Sequence, residues 1–290
     1  MRRPSFTALP DLPILLAMAA ARRIRSTTAF RSHARRQDRF LVIVPTYNEL
    51  ENLLRLVDEV ATVRRRTPFP GDVLIVDDNS PDGTGKLAAE LADQTSWIHV
   101  LHRPGKLGLG TAYVDGFRWA LSRGYTHIIE MDADLSHPPE AIPRFLAADA
   151  DLVVGSRYVM GGAVLGWSFT RRAVSRAGSL YARSILRLGV HDTTSGFKCF
   201  RRRVLETIDL DSIRGEGYVF QIELTHRTAR MGGSVVEVPI AFTDRTNGRS
   251  KMTLGIVLEA VWRVAWLRIR PPQDADLPPV APFESQAIAA

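Results

Sequence analysis

Over residues 40–155 short, β-branched apolar runs alternate with segments of helical periodicity, and this alternation limits the fold more than any other feature of the chain. FLVIV (40–44) precedes Leu50, Leu53, Leu54, Val57 and Val60 at helical spacing. DVLIV (72–76) precedes a helix predicted over 85–92, and WIHVL (97–101) precedes one over 112–122; HIIEM (127–131) and DLVVG (151–155) are further strands. Strands that are apolar throughout are covered on both faces, so the pattern predicts an α/β fold with a mostly parallel central sheet between two helical layers. Ligands of such sheets gather at the carboxyl ends of the strands. Beyond Gly155 the order loosens into a helix over 169–188, a strand FKCF (197–200), a helix over 219–230 and a strand SVVEVPIAF (234–242). A last helix over 252–270 keeps Glu259, Arg263 and Arg270 on one face, with apolar residues around most of the rest, and Pro271 and Pro272 stop it.

At 290 residues with 45% hydrophobic content, the chain can bury a sizeable core. It divides into a basic extension (1–38), a domain (39–270) and a Pro/Ala-rich tail (271–290) that is expected to be disordered. The single cysteine, Cys199, excludes an internal disulfide framework and a cysteine zinc site, and reads as a small core residue. Much of the net charge of +7 sits on residues 1–37, where Arg2, Arg3, Arg22, Arg23, Arg25, Arg31, Arg35 and Arg36 face Asp11 alone; this argues against nucleic-acid binding by the domain. With its apolar run LPILLAMAAA (12–21), the extension reads as a transit peptide, a poor signal peptide, a basic arm for anionic lipid, or sequence upstream of the true start. No window reaches the ~18 uncharged apolar residues that a membrane span requires.

Four polar clusters follow the strand-like runs: PTYNE (45–49), DDNSPDGT (77–84), DAD (132–134) and GSRY (155–158). One such cluster would be a turn or a helix cap. Four at successive strand ends describe the rim of a site. Asp132 and Asp134, two residues apart, point to one face and offer hard oxygen donors suited to Mg²⁺ or Mn²⁺, with room for phosphate oxygens. His137 reads as a turn residue or a further ligand. Arg157 offers a planar fork to phosphate, while Arg245 and Lys251 stand six apart in DRTNGRSK (244–251), which reads equally as a phosphate-binding or a solvated loop. In GKLGLGTA (105–112), Gly108 and Gly110 are followed by Tyr113 where a dinucleotide fingerprint needs a third glycine, so a glycine-rich entry to a helix beside phosphate or sugar fits better.

Taken in order, PTYNE, VDDNSPDGT, KLGLGTAY, MDADLSHPPE, GSRY, SGFKCF, GYVFQIE and DRTNGRSK resemble the dolichol-phosphate mannose synthases and their bacterial polyprenol-phosphate counterparts, from about residue 40 to 254. These are inverting glycosyltransferases of family 2, and the resemblance implies their GT-A nucleotide-diphospho-sugar transferase fold. It further implies that Pro45, Tyr47 and Glu49 line the nucleotide pocket and that Val76 and Asp78 meet base and ribose. Asp132, Ala133 and Asp134 then lie along the diphosphate, with Asp134 on the metal and Asp132 beside it. Two residues further on, some relatives place a glutamine ligand where this chain has Ser136, a weaker donor. Arg157, Arg245 and Lys251 are implied to bind the donor diphosphate or the incoming lipid phosphate. The activity so implied is metal-dependent transfer of mannose from GDP-mannose to a polyprenyl monophosphate at the cytoplasmic face of a membrane. The rivals are a polyprenyl-phosphate glycosyltransferase using a UDP-sugar and a catalytically silent regulatory subunit. With a lipid acceptor, the last helix, bearing Trp262, Trp266, Arg263, Arg268 and Arg270, reads either as interfacial or as packed on protein. The basic extension or a membrane-anchoring partner protein would supplement it.

Overall fold

The computed structural model describes residues 38–244 and 254–277, all within one compact unit, Asp38–Ala290. In chain order, the first half is β1 (Phe40–Thr46), α1 (Leu50–Arg64), β2 (Gly71–Asp77), α2 (Thr84–Gln94), β3 (Ile98–His102), α3 (Leu109–Ser122) and β4 (His127–Glu130). The chain continues through α4 (Ile142–Ala147), β5 (Leu152–Ser156), β6 (Ala163–Leu165), α5 (Phe169–Leu186), β7 (Lys198–Arg201) and α6 (Arg202–Thr207). It closes with α7 (Gly217–Arg230), β8 (Val235–Pro239), β9 (Ala241–Thr243) and α8 (Leu254–Ile269).

Seven strands form one sheet in the order β3-β2-β1-β4-β7-β5-β8. All neighbours are parallel except β7, which runs antiparallel to both β4 and β5. The apolar runs are explained by cover on both faces. Val42 and Val44 of β1 join Val73 and Ile75 of β2 in a layer closed by Leu53, Leu56 and Val60 of α1. Their neighbours Leu41, Ile43, Leu74 and Val76 point the other way, into a layer closed by Tyr113 and Phe117 of α3 and Phe220 and Leu224 of α7. Each side chain so buried contributes about 1.5–3 kcal/mol, and slipping β1 by one residue would exchange its two sets of partners. Gly116 lets α3 approach this closely: a Cβ there would stand 2.6 Å from Ile43 Cγ2.

The predicted mostly parallel sheet and its helices are present, with boundaries shifted by a few residues. Helix α3 starts at Leu109, three residues early, because Gly108 takes φ 103° and turns the chain into the helix at once. The run predicted as one strand over 234–242 is two, β8 in the main sheet and β9 paired with β6 in a small parallel sheet. The break falls at Ile240, whose N–H still donates to Ser156 O of β5 while its carbonyl accepts from Ala163 N of β6. The segments α4, α6 and β6 were not foreseen, being too short to show a period. The tail expected to be disordered from Pro271 is, over residues 271–277, packed on α7: Asp274 pairs with Arg227 at 2.9 Å, and Leu277 N donates to Met231 O.

Candidate active site

The carboxyl ends of β1, β2 and β4 lie side by side and carry the first three polar clusters. Two of these clusters are stitched to each other. Asp77 closes β2 and accepts hydrogen bonds from Thr46 Oγ1 (3.1 Å), Ser80 Oγ (2.6 Å) and Ser80 N (3.1 Å). Across the gap, Asn48 N donates to Ser80 Oγ, Glu49 N to Thr84 Oγ1 and Leu50 N to Asp82 Oδ2. The first amide of α1, Leu50 N, which has no acceptor within its own helix, and the two amides before it are thus satisfied by the DDNSPDGT loop. Each of the three clusters also holds, or is followed at once by, one non-glycine residue in the left-handed region: Asn48 (φ 61°), Asn79 (φ 56°) and Leu135 (φ 61°). Asparagine adopts that conformation at little cost. Leu135 does not, and the strain of about 1–3 kcal/mol is offset by its packing against the core layer on that face of the sheet. The DAD turn is therefore held in a shape its own sequence would not choose.

Within that turn Asp134 Oδ1 accepts from Ser136 N (3.1 Å) and Ser136 Oγ (2.6 Å). Ser136 is buried and spends its hydroxyl proton fixing the Asp134 rotamer, so as a ligand it could offer only its oxygen. His137 is buried, stacks on Phe197 with centroids 5.1 Å apart, and accepts from Asp132 N at 3.1 Å. It lies in the bend after the aspartates, as the turn reading expects, and burial lowers its pKa, so with Nδ1 taken by Asp132 N it is a neutral scaffold group. Ala133 is buried beneath the aspartates.

Tyr113 supplies a contact that its position in the sequence did not announce. Its hydroxyl donates to Asp132 Oδ1 at 3.2 Å, and its ring, wholly buried, lies near-parallel to Phe220 with centroids 5.9 Å apart. Burial, followed by the charge of Asp132, raises its pKa, keeping the hydroxyl a donor. The residue that breaks the dinucleotide fingerprint thus ties α3 to the DAD turn and, through Phe220, to GYVFQIE. Gly196 closes the site from another side, since a Cβ there would stand 3.7 Å from Asp132 Oδ2.

The remaining expected residues divide. Pro45, Tyr47 and Glu49 are half-buried at the end of β1; Lys106 Nζ lies 4.0 Å over the Tyr47 ring, and Glu49 Oε2 accepts from Asn52. Asp78 is nearly buried and salt-bridged to Arg103 at 2.5 Å, which anchors the glycine-rich turn through Gly108 O and Thr111. Val76 is wholly within the core, so any contact it makes with a ligand comes from its main chain. Arg157 is not the open phosphate fork expected: its Nε and Nη2 hold Asp192 at 2.7 and 2.6 Å, and the buried guanidinium lies 5.2–5.5 Å from the ring centroids of Tyr158, Trp167 and Phe242. Burial opposes its charge, but the Asp192 carboxylate more than compensates and raises its pKa. Asp192 came from a polar loop with no sequence signal. Arg245 and Lys251 lie outside the described residues. The last described residue before them, Asp244, pairs with Arg171 of α5 at 2.8 Å, and Thr243 N donates to Ser136 O.

Two carboxylates and a serine oxygen do not make a closed cage, and among the described residues no three or more His, Cys, Asp or Glu converge as one. Such a donor set fits a hard cation that keeps water and phosphate oxygens in most of its shell, as Mg²⁺ does, with Mn²⁺ of similar taste.

A mostly parallel sheet with an acidic turn at the end of a central strand and clustered polar turns beside it is an arrangement suited to a nucleotide-sugar transferase. The model of "Glycosyl transferase family 2" matches residues 41–209, and the chain belongs to that family. It is 52% identical over 229 residues to an undecaprenyl-phosphate mannosyltransferase of Micrococcus luteus, covering 78% of this chain and 92% of the relative. It is 50% identical over 236 residues to a polyprenol monophosphomannose synthase of Mycolicibacterium smegmatis, covering 80% and 88%. Two solved structures share the fold at low identity. Glucosyl-3-phosphoglycerate synthase of Mycobacterium tuberculosis, in complex with Mn²⁺, UDP-glucose and phosphoglyceric acid, has TM-score 0.61 at 17% identity, over 94% of this chain and 87% of that one. Mannosyl-3-phosphoglycerate synthase of Rubrobacter xylanophilus has TM-score 0.58 at 20% identity, over 86% and 77%.

Proposed function

We propose that this chain transfers mannose from GDP-mannose to a polyprenyl monophosphate, working from the cytoplasmic face of a membrane. The observation that carries the reading is the Asp132–Asp134 turn, braced by Tyr113 and Ser136 at the end of β4 and flanked by the stitched turns of β1 and β2. Identities of 50% and above to two relatives named for polyprenyl-phosphate mannosyl transfer support it.

In this mechanism the nucleoside lies over the ends of β1 and β2, against Tyr47, Glu49 and Asp78. Asp132 and Asp134 hold the diphosphate end, with Asp134 and Ser136 the residues toward Mg²⁺ or Mn²⁺. When bound, the ion neutralises charge on the leaving diphosphate. An oxygen of the lipid phosphate attacks the anomeric carbon from the face opposite the leaving group, inverting it. That oxygen is already anionic at neutral pH, so no side chain must remove a proton, and His137, neutral and committed to Asp132 N, is not asked to. What the protein contributes is in-line positioning and fixed charge. Arg245, Lys251 and Arg157, the last held by Asp192, are the proposed phosphate contacts. Among the described residues no helix is long and apolar enough to cross a membrane, which suits a protein that meets its lipid acceptor at the surface, with or without an anchoring partner.

The test is transfer of radiolabelled mannose from GDP-mannose to a short-chain polyprenyl phosphate, with Mg²⁺, Mn²⁺ or chelator, and a UDP-glucose arm. Mannolipid formed only with metal is expected. Transfer from UDP-glucose alone moves the donor assignment; no transfer from either donor by a folded protein overturns the reading. Tyr113→Phe, which deletes one hydrogen bond to a charged acceptor, should weaken binding of GDP with Mn²⁺ roughly tenfold in calorimetry while the melting temperature changes little. Unchanged affinity would remove Tyr113 from the positioning of Asp132.

A further inference from the structure

The segment after α8 is built into the domain more firmly than its composition suggests. Pro271 and Pro272 restrict the backbone as it leaves the helix, so PPQDADL (271–277) has less chain entropy to lose on docking. Leu277 packs against the core layer that holds Tyr113, Phe117 and Phe220, and its N–H donates to Met231 O at 2.9 Å. Asp274 goes deeper. Its side chain is 4% exposed, and Oδ1 accepts from Arg227 Nη1 at 2.9 Å and from Asp209 N at 3.1 Å. A buried carboxylate persists only where it is paired.

Arg227, its side chain equally buried, carries the contact inward. Its Nε and Nη2 hold Glu223 Oε1 at 3.0 and 2.7 Å, and Glu223 Oε2 accepts from Gly215 N at 2.9 Å and Arg214 N at 3.4 Å. The turn held in this way rests on the glycine-rich turn: a Cβ on Gly110 would stand 2.9 Å from Gly215 O and 3.0 Å from Phe220 Cδ2. Two routes lead on to the site. Gly108 O accepts from Arg103, the partner of Asp78, and Phe220 stacks on Tyr113, whose hydroxyl holds Asp132.

We propose that Asp274 is a positioning residue for the nucleotide half of the site, delivered to Arg227 by residues 271–277 acting as a strap. A guanidinium gripped on two of its edges by separate carboxylates is fixed in place, whereas one gripped by Glu223 alone pivots about that contact. Glu223 then shifts against Gly215, and the turn over 209–216 lifts from Gly110. Asp274 touches no substrate and acts through Arg227 and Glu223. This rests on the proposed nucleotide-sugar donor, and it gives the end of the domain a part in binding it.

The experiment compares the full chain with Asp274→Ala and Asp274→Asn in three measurements. These are hydrogen exchange without ligand, calorimetry with GDP or UDP and Mn²⁺, and transfer kinetics to a short-chain polyprenyl phosphate. In Asp274→Ala the amides of residues 209–220 should exchange about tenfold faster, while those of β5 keep the wild-type rate. Nucleotide binding should weaken about tenfold and KM for the sugar donor rise by the same factor, with kcat changed less than about twofold. Asp274→Asn keeps an oxygen for Arg227 and Asp209 N but loses the charge, so its affinity should fall only about threefold; it carries the comparison if Asp274→Ala does not fold. A lower melting temperature with exchange at 209–220 and nucleotide affinity both at wild-type values would make the strap a stabiliser only and overturn the proposal. So would exchange that quickens by one factor throughout the domain, or a loss confined to kcat. A wild type that binds neither GDP nor UDP refutes the donor reading, whereas a wild type that binds beside an Asp274→Ala variant that binds equally well refutes the strap alone.

Discussion

Asp134→Ala should lower turnover about a thousandfold or more, the scale on which removal of one fixed charge stabiliser acts at a developing anion. Asp134 is half-exposed at the end of a strand, and its substitution opens no cavity in the core. It does orphan the buried Ser136 hydroxyl, a cost of roughly 1 kcal/mol, or a fall of about 2–4 °C in melting temperature for a domain of this size. Asp134→Asn separates the two consequences. The amide oxygen still accepts from Ser136, so the melting temperature returns to the wild-type value, while the lost charge leaves turnover as low as in Asp134→Ala. Turnover by either variant within a few fold of wild type would refute the assignment of Asp134 to the diphosphate and its ion. Ser136→Ala should lose far less activity, because Ser136 N still donates to Asp134 Oδ1.

The largest stability effect should come from Asp192→Ala, at a residue no motif marked. Asp192 is wholly buried, and it accepts from Arg157 Nε, Nη2 and main-chain N. Removing one partner of a buried ion pair leaves the other charge desolvated, a cost of about 3–5 kcal/mol, which at this chain length is a melting temperature lower by roughly 10 °C. The double variant Arg157→Met/Asp192→Leu should recover most of that loss, since two apolar residues replace two compensated charges. It should bind polyprenyl phosphate poorly all the same. A single variant that melts with the wild type would show that the pair is not shielded from water. Arg157→Lys should behave more like Asp192→Ala than like wild type, because an ammonium cannot make the two-pronged contact.

These residues show where sequence reading stops. Strand positions were legible because Val42, Ile75 and Ile129 belong to runs apolar on both faces, and the four polar clusters were legible because each follows such a run. What lies between distant segments was not. Glu130 ends a strand predicted as apolar, and Lys198 opens another; the register of β4 on β7 places them opposite each other, both fully buried. Burial pushes Glu130 up to about 8 and Lys198 down to about 8, each partly opposed by the other's charge. Lys198 Nζ donates to Gln221 O at 2.5 Å, which ties the glutamine of GYVFQIE to the floor of the site. None of this has a local signature. Tyr113 was noticed only as a missing glycine, since a hydrogen bond to Asp132 depends on how α3 crosses the sheet. Strand direction is equally invisible: FKCF reads the same whether it runs with its neighbours or against them.

The reversed strand β7 has a consequence for how the molecule comes to exist. Strands β3, β2, β1 and β4 are contiguous in the sheet and early in the chain, so the half that would cradle a nucleotide can close as soon as residues through β4 have been made. Strand β5 follows at once in sequence but has no seat beside β4, because that place belongs to β7, which is synthesised only after α5. During that interval β4 is an open edge. On the ribosome, the nucleotide half can assemble first and the half that would admit a lipid phosphate is added last, with β7 as the piece that locks them together.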